Sequence, residues 1–75
     1  MTRLPVVSGA QLIQVLQYCG WTVKRQKGSH VVLTKRGCRL TLSVPFHPEL
    51  ATGTLKGILK DAGLTVDDLL RLMES

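Results

Sequence analysis

His30 ends the run Lys24-Arg25-Gln26-Lys27-Gly28-Ser29-His30 and begins the apolar stretch Val31-Val32-Leu33. Histidine trades protons near neutral pH, with an unperturbed pKa of about 6.5, and this one stands among cations. Cleaving RNA without a metal requires a base for the 2′-hydroxyl proton, an acid for the leaving oxygen and positive charge for the phosphate. His30 with Lys24, Lys27 and Arg39 supplies groups of that kind. The competing reading is a turn histidine that hydrogen-bonds locally beside solvated cations. Gly28-Ser29 is likewise open to two readings: a plain hairpin turn, or a backbone that phosphate can approach closely.

Other residues carry weaker signals. His47, between Phe46 and Pro48, is a candidate second acid or base, or a residue that fixes its loop. Thr52-Gly53-Thr54 exposes N–H groups at a helix start, and Lys56 and Lys60, four apart, share one helical side; this either holds phosphate or is ordinary capping with a solvated lysine pair. Asp67 and Asp68 fit the first turn of a helix, where carboxylates complement the dipole, better than a pair of catalytic acids. Cys19, His30, Cys38 and His47 match no zinc-ligand spacing, so no metal or other cofactor is expected, and both cysteines read as reduced. The sequence has no dinucleotide-binding glycine motif, no P-loop and no aromatic-rich RNA-binding stretch.

These groups must be positioned by a small frame. Seventy-five residues form one expected domain, 1–75, and a chain of that size buries only about 60% of its unfolded surface. The net charge of +5 is unevenly spread. Residues 1–48 hold Arg3, Lys24, Arg25, Lys27, Lys35, Arg36 and Arg39 and no carboxylate; residues 49–75 hold Lys56, Lys60 and Arg71 against Glu49, Asp61, Asp67, Asp68 and Glu74. A local cationic surface is the footprint of a polyanion binder, or else the solvated face of a basic protein. No stretch approaches the ~20 apolar residues of a membrane span, and no charged-then-apolar signal pattern opens the chain. The cytoplasm is the expected compartment, with no membrane partner.

Periodicity divides the chain into six elements. Ser8 with Gln11 has capping-box spacing, Leu12, Val15, Leu16 and Cys19 follow at helical intervals, and Gly20 stops a first helix over about 8–19. From Trp21 the period becomes two, through runs containing Trp21/Val23/Arg25, Val31/Leu33 and Leu40/Leu42/Val44, separated by glycine turns. An antiparallel three-stranded meander follows. Pro45 and Pro48 bound a turn. Leu55, Ile58, Leu59 and Ala62 predict a second helix starting near 52–54 and ending at Gly63. Thr65 with Asp68 caps a third, marked by Val66, Leu69, Leu70 and Met73. The order α-β-β-β-α-α specifies an α+β fold with the helices on one face of a three-stranded antiparallel sheet.

Strict alternation also assigns sheet faces. With Trp21/Val23, Val31/Leu33 and Leu40/Leu42/Val44 inward, the opposite face collects Thr22, Lys24, Gln26, His30, Thr34, Arg39, Thr41 and Ser43. Slipping the Val31-Val32-Leu33 register by one residue turns His30 inward instead.

The sequential set Arg25-Gln26-Lys27-Gly28-Ser29-His30, Val44-Pro45-Phe46-His47 and Gly53-Thr54-Leu55-Lys56-Gly57-Ile58-Leu59, carried on through Gly63-Leu64, resembles the HicA-type toxins of bacterial and archaeal toxin-antitoxin pairs. The resemblance runs from the first helix to at least Leu64. It implies a double-stranded-RNA-binding-domain-like α-β-β-β-α fold, here with an additional C-terminal helix. It further implies an mRNA-cleaving endoribonuclease that uses no metal and is silenced by a HicB-type antitoxin, with the histidine of the GSH motif, His30, as the catalytic residue. No comparably firm role carries over to His47, Ser29 or Lys56. The residues therefore support a nuclease in which His30 works beside Lys24, Lys27, Ser29 and Arg39, with Lys56 and Lys60 as further RNA contacts. The alternative is a non-catalytic RNA-binding module using the same basic sheet.

Overall fold

A computed structural model describes residues 4–74; Arg3, counted above among the cations, lies outside them. The elements are α1 (Gly9–Tyr18), β1 (Trp21–Lys27), β2 (His30–Lys35), β3 (Thr41–Pro45), α2 (Thr52–Ala62) and α3 (Val66–Met73). The strands form one antiparallel sheet in the order β1-β2-β3.

Local chemistry sets the helix boundaries. Ser8 and Gln11 make the reciprocal capping box at the start of α1, and Thr65 and Asp68 make another at α3. Such a cap is worth ~1 kcal/mol. α2 has Ala51 at its cap position and no side-chain cap bond, and it ends at Gly63 in the left-handed conformation.

One core unites the layers. Leu12, Leu16, Leu55 and Leu69 from the helices are buried against Val31, Leu33, Leu42 and Val44 from the sheet. Helices therefore cover one face and leave the other open. Burying each of these leucines contributes about 1.5–3 kcal/mol, so register is strongly specified where β2 and β3 meet the core. His30 is exposed while Val31 and Leu33 are buried, which is the outward register.

The structure departs from simple alternation in two places. In β1 the pairing steps from Val23↔Leu33 to Arg25↔Val32, so Lys24 has no counterpart on β2. A bulge of this kind reverses which residues share a face. Arg25 and Lys27 consequently join the open face of Val32 and His30, whereas Gln26 pairs with Val31 on the core side. The expected placement of Lys24 and Gln26 beside His30 is corrected accordingly. Val23, on the edge strand next to the bulge, is 38% exposed rather than buried. The second departure is the start of β3 at Thr41, which leaves Arg39 and Leu40 in the preceding loop and Leu40 52% exposed.

Candidate active site on the open sheet face

His30 owes its position to the shortest of hairpins. Gly28 and Ser29 join β1 to β2, and only Gly28 has a positive φ, 60°, as at the first central residue of a type II′ turn. Gln26 Nε2 donates to the Gly28 carbonyl at 3.3 Å. Directly opposite His30 stand Lys27 on β1 and Pro45 on β3. Facing residues in an antiparallel ladder lie about 4.5–5.5 Å apart and point to the same side. The imidazole is therefore exposed on the open face with Lys27 as its cross-strand neighbour.

The loop after β3 locks this corner. The Phe46 N–H donates to the Ser29 carbonyl at 2.6 Å, tying the turn to the end of β3. One residue on, the His47 carbonyl accepts from the Gly9 N–H at 2.9 Å, and the Leu50 N–H donates to the Val7 carbonyl at 2.8 Å. Gly9 is required by packing. A Cβ there would drive into the Pro45 carbonyl oxygen and meet the Phe46 Cα at 3.0 Å. The first turn of α1 thus bears on the backbone just beyond His30's cross-strand partner.

Seven of the residues singled out in the sequence fall in different places. Lys27 and Ser29 adjoin His30 in the hairpin, and His47 follows two positions after Pro45, so all three belong to the same corner. Lys24 is exposed at the bulge. Arg39 is not brought to His30. It precedes Thr41, which pairs with Thr34 at the far end of β2, about 13 Å along the strand from His30 at ~3.3 Å per residue. Lys56 and Lys60 are exposed on α2, a separate element. Arg25 was missed by alternation, and only the bulge explains its place on the face of His30.

Among the described residues little else competes for chemistry. A depression between α1 and α3 is lined by Gln11, Gln14, Val15, Tyr18, Leu72 and Met73, with no histidine, cysteine or carboxylate among them. Among the described residues, no three of His, Cys, Asp and Glu cluster as a metal site would require, and no helix is long and apolar enough to cross a membrane. Cys19 and Cys38 are unbonded and half-buried.

Comparison with known proteins bears on the family and the fold. A family model described as the HicA toxin of bacterial toxin-antitoxin systems matches residues 9–64. A solved structure, the HicA3 and HicB3 toxin-antitoxin complex, contains a chain 30% identical to this one, with a TM-score of 0.66 over 79% of this chain and 97% of that one. No curated protein sequence matches. The matched region takes in the hairpin, the Pro45–His47 segment and all of α2.

Proposed function

Since the chain belongs to the HicA family of toxin-antitoxin toxins, we propose that it is an endoribonuclease that cleaves mRNA at the His30 corner without a metal. The observation that carries this reading is the placement of His30: exposed, opposite Lys27, on a turn whose backbone is fixed by the Ser29–Phe46 hydrogen bond. In the reaction, His30 removes the proton from a 2′-hydroxyl. The freed oxygen attacks the adjacent phosphorus, a new O2′–P bond forms, and the P–O5′ bond breaks. The departing 5′-oxygen then takes a proton. His47 is the candidate donor, because it follows by two residues the strand partner of His30. Lys27 balances charge on the phosphate, and Ser29 lines the turn. Lys24, at the edge-strand bulge, extends the cationic track along which RNA lies; Arg39 adds to it only for a strand spanning the sheet, and Lys56 and Lys60, on the helical layer behind the sheet, only for one that wraps around the domain. The HicB-bearing complex among the structural relatives supports a HicB-type antitoxin as the protein partner. An acidic surface over the hairpin suits the cations there.

The test is incubation of purified protein with RNA in EDTA. Wild type yields fragments, and His30→Ala slows cleavage by roughly 10²- to 10⁴-fold, the usual contribution of a general acid-base group. Equal cleavage by His30→Ala removes the assignment. His47→Ala in the same assay loses a comparable factor if His47 is the acid; an unchanged rate means that it is not. Salt-sensitive RNA binding without products from wild type favours the non-catalytic binding module.

A further inference from the structure

Resting on the nuclease reading above, we propose that Arg25, brought onto the face of His30 by the β-bulge at Lys24, grips the scissile phosphate and stabilises the charge that develops on its non-bridging oxygens. The strand register supplies the geometry. Without a bulge, alternation from Trp21 would place Arg25 on the same face as Trp21 and Val23, turned away from His30. Because Lys24 has no partner on β2, Arg25 instead opposes Val32, and His30 lies two residues along β2 from Val32 on the same face. Arg25 is thus the diagonal neighbour of His30, a separation of about 7–8 Å that long side chains span. Bulges recur beside active sites because they re-aim side chains in this way.

Charge and chemistry favour phosphate as its ligand. None of the three strands contains a carboxylate, and the exposed Arg25 side chain has no hydrogen-bond or ion-pair partner among the described residues. Its fork is free to bind. A guanidinium presents paired N–H donors that match two phosphate oxygens, whereas an ammonium group acts as a point charge. Lys27 opposite His30 and Arg25 diagonal to it would therefore play different parts. The lysine offsets the charge of the bound strand, and the arginine fits the geometry of the phosphorane as it forms. Charge stabilisation of that kind raises kcat, because the interaction strengthens in the transition state.

The experiment measures kcat and KM separately for full-length wild type, Arg25→Ala, Arg25→Lys, Arg36→Ala and His30→Ala on one RNA in EDTA, with thermal melting as the control for folding. Arg25→Ala is expected to lower kcat about 10²- to 10³-fold, as loss of a transition-state donor does, while KM and the melting temperature change little. Arg25→Lys recovers part of the loss, and Arg36→Ala, which removes an exposed cation from the far end of the sheet, stays within about threefold of wild type. An Arg25→Ala enzyme with wild-type kcat, or one altered only in KM, overturns the proposal, as does an equal loss in Arg36→Ala. Normal cleavage by Arg25→Ala combined with escape from the antitoxin assigns Arg25 to the protein interface and also overturns it. If wild type cleaves and His30→Ala does not, failure of the Arg25 prediction leaves the nuclease reading standing. If wild type cleaves no RNA, the nuclease reading itself fails and takes the Arg25 role with it.

Discussion

The two ends of the sheet carry similar charge but hold it very differently. At the hairpin end, Lys27 and His30 flank a two-residue turn whose carbonyl is bound by Phe46, and the next segment is bonded to the start of α1. At the other end Lys35, Arg36 and Arg39 surround a longer connection whose described backbone bond joins the Cys38 N–H to the Lys35 carbonyl at 3.0 Å. Lys35 is engaged with the core, its Nζ 5.9 Å from the centre of the Trp21 ring, and Leu40 is half-exposed. Cation density therefore does not distinguish the ends. Fixation does, and a fixed acid-base group loses less freedom when it meets substrate.

The sharpest way to break this comparison is to loosen the fixed end from a distance. Gly9→Ala adds a methyl group where the Pro45 carbonyl already sits. Alanine is the better helix former, but the obstacle is backbone held by the hydrogen bond from Gly9 to His47, so overpacking decides the sign. We expect a loss of about 1–3 kcal/mol of stability in urea unfolding, together with slower RNA cleavage as the His47 segment shifts. Leu40→Ala at the loose end should cost at most about 0.5 kcal/mol, the usual range for exposed positions, and leave cleavage intact. Equal costs for the two substitutions would contradict the distinction between the ends.

The same contrast explains what was legible in the sequence. Both capping boxes could be read because Ser8–Gln11 and Thr65–Asp68 interact within four residues. The outward register of His30 could be read because Val31 and Leu33 must reach the core. The bulge could not. After Val23 the strand continues Lys-Arg-Gln-Lys, with no apolar residue to mark a change of face, so alternation misplaced Lys24, Arg25 and Gln26. Leu40 looked like the first inward residue of β3 because it precedes Leu42 and Val44 at even spacing, but the connection ends one residue later than that pattern implies. Gly9 gave no signal because its neighbour is backbone more than thirty residues away. The place of His30 in the sheet was therefore legible, whereas the charges beside it depended on tertiary pairing.

A finer test separates the cations by where they sit. Each phosphate contact on a single strand contributes about −0.7 to the slope of log affinity against log salt concentration. Lys27→Ala should reduce the steepness by about one such increment when binding is measured in the His30→Ala background, where cleavage is expected to be slow. Arg39→Ala should leave the slope for a short oligonucleotide unchanged, because about 13 Å of strand separates its end of β2 from His30. A larger change for Arg39 than for Lys27 would move the RNA track to the opposite end of the sheet.

The smallest effect belongs to the acidic helical region, which contributes to stability without sharing the site. The Asp68 carboxylate accepts the Thr65 backbone N–H at 3.0 Å. That bond and then one with the Thr65 side chain hold its pKa below the ordinary 3.8 against an opposing effect of desolvation, and the nearby Arg71 charge adds the least. A pKa lowered in the folded state stabilises the fold above the unfolded value and ceases to do so as pH falls through the folded value. Wild-type melting should therefore lose this contribution only below about pH 4, whereas Asp68→Asn, already lacking the charge, should show a shallower acid-side decline. RNA cleavage at neutral pH should be the same in both proteins, since α3 lies apart from the hairpin. Parallel acid-side curves would mean that the α3 cap is not tuned by this carboxylate, and altered neutral cleavage would mean that the helical region and the hairpin corner are coupled.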